Sequence, residues 1–267
     1  MEDNDKLLTA SNSVPPGTGG ITIKNATELD YMRQAGAIVA ATIRMLCLAA
    51  TPGMKTTELD ALASREIRRN GAKAAFKGYR GFPATICTSI NEEIVHGIPS
   101  NRVIVEGDLL KMDVGAIVGG FMGDSAVTIG IGSISDEAES LLETTRNSLE
   151  EGIKAATAGS RVGDIGAAVQ AYAESRGYGV VREYVGHGVG RALHEEPQVP
   201  NYGPPGRGPL LREGMTIAIE PMLNVGDWRT RVLEDDWTVV TADGKLSAHF
   251  EHTIAITDGK AEVLTRL

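Results

Sequence analysis

Two stretches of this chain repeat each other. Residues 50 to 71 read ATPGMKTTELDALASREIRRNG and residues 156 to 177 read ATAGSRVGDIGAAVQAYAESRG, at a constant offset of 106 residues. Ala50/Ala156, Thr51/Thr157, Gly53/Gly159, Ala61/Ala167 and Gly71/Gly177 are identical, and Lys55/Arg161, Glu58/Asp164 and Leu59/Ile165 keep charge or bulk. Similarity at a fixed offset points to an internally duplicated architecture. Apolar residues at helical period place helices at about 27 to 50, 57 to 70, 136 to 158 and 164 to 176. Thr27 and Asp30 stand at capping spacing for the first, and Gly71 stops the second. Strand-like segments cover 84 to 90, 107 to 118, 121 to 131, 180 to 185, 215 to 220, 229 to 233, 237 to 241 and 248 to 257. The order of two helices followed by strands therefore occurs twice. No linker-like stretch divides the halves. This predicts an α+β fold in one domain over residues 21 to 267, with helices covering one face of an antiparallel sheet and a site between the halves on the other face. Residues 1 to 20, polar and rich in Pro, Gly and Ser, read as a flexible tail.

Composition narrows the function. The net charge of −9 disfavours direct nucleic-acid or anionic-membrane binding. Cys47 and Cys87 have no metal-binding or redox spacing and read as reduced thiols. No apolar run reaches spanning length and no leader pattern opens the chain, so a cytoplasmic protein is expected. GHGVGR at 186 to 191 fits neither common phosphate-loop spacing.

The stretch KMDVGAIVGGFMGDSAV (111 to 127) holds two aspartates around a glycine pair in apolar sequence. Gly119 and Gly120 suit a two-residue primed hairpin turn. Val118 then faces Phe121, and Asp124 lies opposite Gly115, on the face that also carries Asp113. The two carboxylates become diagonal neighbours, roughly 5 to 8 Å apart at the β-carbons. Such a pair asks for a cation between them or a shared proton.

The second half adds His187 and His194 in VGHGVGRALHEEP, Glu220 at the end of MTIAIE and Glu251 in HFEHTIAI. Four carboxylates and one imidazole at strand segments and glycine turns suit divalent first-row ions better than a lone thiolate-bound zinc. Alternation turns His252 away from Glu251; His249 shares the side of Glu251, but no catalytic role is assigned to it.

INEEIVHGIP, MDVGAIVGGFMGDSA, GHGVGRALHEEPQV, GMTIAIEPM, WTVVT and SAHFEHTIAIT, spread over residues 21 to 265, resemble the type I methionine aminopeptidases of the pita-bread fold. The resemblance implies two divalent ions (Co, Mn, Fe or Zn) and a bridging hydroxide nucleophile. Asp113 would hold one ion, Asp124 and Glu251 would bridge both, and His187 with Glu220 would complete the second. It further implies that Glu220 shuttles a proton, that His194 bonds the substrate carbonyl, and that His96 contacts the scissile amide. Tyr79, Phe82, Cys87, Leu193 and Trp237 would line a methionine pocket, around which the family varies at Phe76, Phe82 and Leu193. The implied partners are the N-termini of nascent polypeptides with a small second residue, met by a monomer; transient ribosome docking stays open. A proline-directed relative on the same fold is the alternative, disfavoured because those proteins carry a long N-terminal domain; a non-catalytic module should have lost some of the five ligands.

Overall fold

The structure, a computed structural model, describes residues 20–266. The tail expected over residues 1 to 20 lies, apart from Gly20, outside the described residues. The first half comprises α1 (Ala26–Ala49), α2 (Thr56–Arg69), β1 (Lys73–Ala74), β2 (Ile86–Ile90), β3 (Glu93–Val95), β4 (Leu109–Val118) and β5 (Phe121–Gly130). The second begins with α3 (Asp136–Ala155) and α4 (Val162–Glu174), followed by β6 (Gly179–Val180), β7 (Gly186–Gly188), β8 (Glu195–Val199), β9 (Thr216–Ile219) and β10 (Met222–Asn224). It ends with β11 (Thr230–Val232), β12 (Val239–Thr241), β13 (Ser247–His249), β14 (His252–Ala255) and β15 (Glu262–Val263).

The repeat seen in sequence is repeated in backbone detail. In both copies an acidic side chain three residues into the helix accepts the N–H of the residue before it: Glu58 from Lys55 at 2.7 Å and Asp164 from Arg161 at 2.7 Å. Such a bond satisfies one of the amides left over at a helix start. Gly53 and Gly159 share a left-handed φ of 94° and 90°, as do Gly71 and Gly177 at 75° and 86°. The start of α1 corrects the expected cap. Asn25 accepts from the Glu28 N–H at 3.0 Å while Glu28 accepts from the Asn25 N–H at 3.1 Å, so this pair, not Thr27 and Asp30, closes the helix. The same spacing occurs two residues earlier, and Asn caps better than Thr.

Among the described residues the expected single sheet is instead four antiparallel sheets. In one, β4 pairs with β5 along one edge and with β1 and β2 along the other. The others run β13-β10-β6, β11-β12-β3 and β15-β14-β9-β7-β8. The expected strand at 180 to 185 shrinks to β6, and the one at 248 to 257 breaks into β13 and β14. The break has a partner at Glu220–Pro221, where proline has no N–H to continue a ladder. Strands of two or three residues such as β1, β3, β7 and β15 are too short to show a period in sequence.

Alternation along β4 separates core from site. Leu110, Met112, Val114 and Ala116 pack with Val39 and Leu46 of α1 and Leu59 and Ile67 of α2. In the second half Leu141 and Leu149 of α3 and Ile165 of α4 pack with Ile217, Ile219 and Ile254. Truncating one of these leucines to alanine costs about 2 to 5 kcal/mol. Contrary to the composition reading, α1 is long and apolar enough to cross a membrane, yet Met32, Ala35, Val39 and Leu46 on it are buried, and the helix lies against β4 and β5. The intervening residues of β4, Lys111, Asp113 and Gly115, face away from α1 and α2.

Candidate metal centre

The β4–β5 hairpin has the register its glycines predict. Val118 pairs with Phe121, Gly115 with Asp124 and Asp113 with Ala126. Gly119 and Gly120 have φ of 58° and 81°, the two positive values a type I′ turn requires. Gly115, between the aspartates, admits no side chain: a β-carbon there would lie 2.7 Å from Phe76 Cε1 and 2.8 Å from Ala75 Cβ.

The two glutamates meet at the paired strand breaks. On one side of the break Ile219 pairs with His252, and on the other Met222 pairs with His249. The same register carried across the gap sets Glu220 level with Glu251. Strand β5 takes over the bonding there, with the Glu251 N–H donating to the Ala126 carbonyl at 2.9 Å. Hydroxyls complete the seam. Ser125 donates to the Glu251 carbonyl at 2.5 Å, Thr253 to the Asp124 carbonyl at 2.7 Å, and Thr128 to the His249 carbonyl at 2.6 Å. The first-half hairpin and the second-half break are thereby locked together.

His187 Nδ1 lies 2.9 Å from the Gly188 carbonyl. A carbonyl only accepts, so Nδ1 carries the proton and Nε2 presents its lone pair. That nitrogen is 3.6 Å from Glu220 Oε1 and 3.9 Å from Asp124 Oδ2. Burial, reinforced by His194, lowers the His187 pKa to about 4, so the ring is neutral at pH 7. Burial raises the carboxylates in the other direction. Asp113 is pushed up to about 7 and Glu220 to about 8, while Asp124 and Glu251 move well above the carboxylate range because each also faces neighbouring acids.

The hydrogen-bond account shows what the cluster lacks. Asp113 Oδ1, Asp124 Oδ1 and Glu251 Oε1 are buried without a hydrogen-bond partner among the described residues. Asp124, His187 and Glu251 each offer a ligand atom within 4.8 Å of the others. Leaving such oxygens unpaired costs several kcal/mol, of order 1 to 3 each. A divalent cation among Asp124, His187 and Glu251 would satisfy two of these oxygens, and an oxygen-rich set with one imidazole suits Mn, Fe, Co or Zn. The residues present fit such an ion.

All five candidate ligands line one cavity of about 390 Å³, together with every residue expected to bind substrate. Phe82 meets Trp237 edge to face at 5.1 Å, and His96 meets Trp237 at 6.5 Å. Leu193, Phe76 and Cys87 complete the apolar wall. Cys87 pairs with Asp113 across β2 and β4. Burial and then Asp113, Asp124 and Glu251 raise its thiol pKa well above normal, so it stays neutral. Tyr79 Oη lies 2.8 Å from His194 Nδ1, with the rings stacked at 5.3 Å. His194 in turn lies 4.2 Å from the His187 ring. His96 has φ of 62°, and burial followed by His249 and His194 lowers its pKa to about 4.

His249, to which the sequence reading assigns no catalytic role, adjoins the candidate ligands. His249 is 1% exposed, with Nε2 3.5 Å from Glu220 Oε2 and no hydrogen-bond partner. Strand alternation was the available signal and pointed the right way. His252 does face the opposite side, with Nδ1 2.9 Å from Thr265 Oγ1. Arg80, Glu183, Tyr184 and Gln198 also line the cavity and carried no signal in the sequence.

The model of metallopeptidase family M24 matches residues 30–258. The chain is 55% identical over 246 residues to a methionine aminopeptidase of Clostridium acetobutylicum, covering 92% of this chain and 98% of that one. It is 52% identical over 247 residues to methionine aminopeptidase 1 of Bacillus subtilis, covering 92% and 100%. Its fold matches the crystal structure of a methionine aminopeptidase from Thermotoga maritima with a TM-score of 0.91 at 47% identity, covering 92% of this chain and 100% of that chain.

Proposed function

The chain belongs to metallopeptidase family M24, and from that membership and its buried ligand cluster we propose that it is a methionine aminopeptidase acting in the cytoplasm on the N-termini of nascent polypeptides. The observation that carries this reading is the set of three unpaired buried carboxylate oxygens beside the free Nε2 of His187, on one wall of an apolar cavity. Asp113 would hold one divalent ion, Asp124 and Glu251 would bridge two, and His187 with Glu220 would complete the second; among Co, Mn, Fe and Zn, availability decides. When bound, such ions lower the pKa of water and polarise the scissile carbonyl.

The remaining chemistry belongs to side chains. Phe82, Cys87, Leu193 and Trp237 offer an apolar wall to a flexible thioether. Glu220, at the end of its strand beside the cluster, would pass a proton from the attacking water to the departing amine. His194 would donate to the substrate carbonyl as negative charge grows there, and His96 would contact the scissile amide on the leaving-group side. A phenol is a better donor than a neutral imidazole, so the Tyr79 hydroxyl donates to His194 Nδ1 and leaves the proton on Nε2. Tyr79→Phe keeps the aromatic wall and removes that bond. It is expected to lower kcat about fivefold at nearly constant KM, the size of one ordinary hydrogen bond. A change in KM alone would assign Tyr79 to the wall only.

Peptide turnover tests the function directly. Mn²⁺-loaded protein should cleave Met-Ala-Ser and leave Ala-Pro-Ala intact. The reverse result would make it a proline-directed enzyme.

A further inference from the structure

Lys111 is the largest side chain among the fully buried ones, at 2% residue exposure, and no step above uses it. It stands two residues before Asp113 on the same face of β4. Among the described residues no carboxylate pairs with it. Its Nζ donates instead to the backbone carbonyl of Asn91 at 2.6 Å. Burying a lysine head group on a single neutral acceptor is destabilising, because one carbonyl replaces a full hydration shell. Packing alone would be served better by a methionine or leucine.

The acceptor explains the placement. The Asn91 carbonyl also receives the Ser247 N–H at 3.1 Å. Three segments therefore converge on one oxygen: β4 through Lys111, the turn between β2 and β3 through Asn91, and the start of β13 through Ser247. Each leads within a few residues to the site, to Asp113, His96 and Glu251 respectively. Asn91 in the turn and His96 just past β3 both have a left-handed φ, of 57° and 62°. Other bonds hold the outer side of the turn. Asn91 Nδ2 donates to Asp108 at 2.9 Å, its Oδ1 accepts the Leu109 N–H at 2.8 Å, and Glu93 accepts the Ile90 N–H at 2.6 Å. From β4, which bears Asp113, the Leu109 backbone holds the Asn91 N–H and side chain, and Lys111 is the side chain that reaches the Asn91 carbonyl.

We propose that Lys111 is a positioning residue: by holding the Asn91 carbonyl it sets the spacing of His96 and Glu251 from Asp113. The proposal rests on the aminopeptidase reading for its effect on turnover, but not for its effect on the site's geometry. In Lys111→Met a linear apolar chain replaces the buried head group. A merely structural lysine would lower the melting temperature when lost. A positioning lysine should leave it equal or higher, because a buried polar group has been removed. Mn²⁺ titration of the apo protein should show affinity weakened several-fold, and kcat on Met-Ala-Ser should fall about tenfold, the scale of a lost buried hydrogen bond.

Lys111→Ala opens a space where the head group sat. Ammonium chloride should restore part of its activity, whereas tetramethylammonium chloride, too large to enter, should not. Unchanged Mn²⁺ affinity and kcat in Lys111→Met overturn the proposal, as does a loss in Lys111→Ala that ammonium fails to reduce. If the wild-type protein itself does not cleave Met-Ala-Ser, the aminopeptidase reading fails, and the Mn²⁺ titration and melting temperature still judge Lys111.

Discussion

Glu251→Gln is expected to abolish turnover and to weaken binding of both ions, the largest effect of any single change in this site. The amide keeps the shape of the carboxylate but not its charge, and Glu251 Oε1 is a buried acceptor with no other partner. Its backbone is held from both sides, by Ala126 at 2.9 Å and by the Ser125 hydroxyl at 2.5 Å. The variant should therefore fold with the break intact. Asp124→Asn should behave the same way, since the Asp124 backbone is clamped by Thr253 through bonds of 3.0 and 2.7 Å. Asp113→Asn should spare one of the two ions. Calorimetric titration of apo protein with Mn²⁺ is the check. Two ions bound at wild-type affinity in Glu251→Gln would remove it from the bridging role. The same titration predicts a stability effect: an ion that binds only the folded chain stabilises it by roughly 2.7 kcal/mol at a hundred times its dissociation constant. Chelation should lower the melting temperature of the wild type and leave that of Glu251→Gln almost unmoved.

His194→Ala should lower kcat by about 10² to 10³ with both ions retained, the loss typical of one donor aimed at developing negative charge. The geometry separates this residue from the ligands. Its Nδ1 is engaged by Tyr79 at 2.8 Å, while the tighter group that offers ligand atoms is Asp124, His187 and Glu251. Loss of an ion in His194→Ala would make it a ligand, and wild-type kcat would leave it without a catalytic part. The Tyr79→Phe effect should be contained within that of His194→Ala. In the double variant, removal of the tyrosine hydroxyl should cost nothing further, because it acts only through the histidine.

Much of this architecture was legible in the chain because it is written in local chemistry. The matched pairs 50 to 71 and 156 to 177 give α2 and α4 the same start and the same left-handed glycines. Gly119 and Gly120 set the hairpin register, and a period of two then places Asp113 diagonally from Asp124 without reference to the rest of the molecule. Alternation likewise parted His249 from His252.

Other features are not local and left no such trace. The level placement of Glu220 and Glu251 depends on two strand breaks facing each other, one at Pro221 and one at Phe250, and neither break has a period that could be counted. The stretch 248 to 257 looks like one strand until β5 takes over the Glu251 amide. The reach of Lys111 to Asn91 spans twenty residues, and the seam of Ser125, Thr128 and Thr253 hydroxyls spans more than a hundred. By itself, then, the sequence determined the duplicated helices, the hairpin and its aspartate face, since turn dihedrals and side-chain periodicity act over neighbouring residues. Only the tertiary structure decided which oxygens are left without partners, which histidine nitrogen is free and which lysine is buried, because those depend on how segments distant in sequence compete for the same hydrogen bonds once water is excluded.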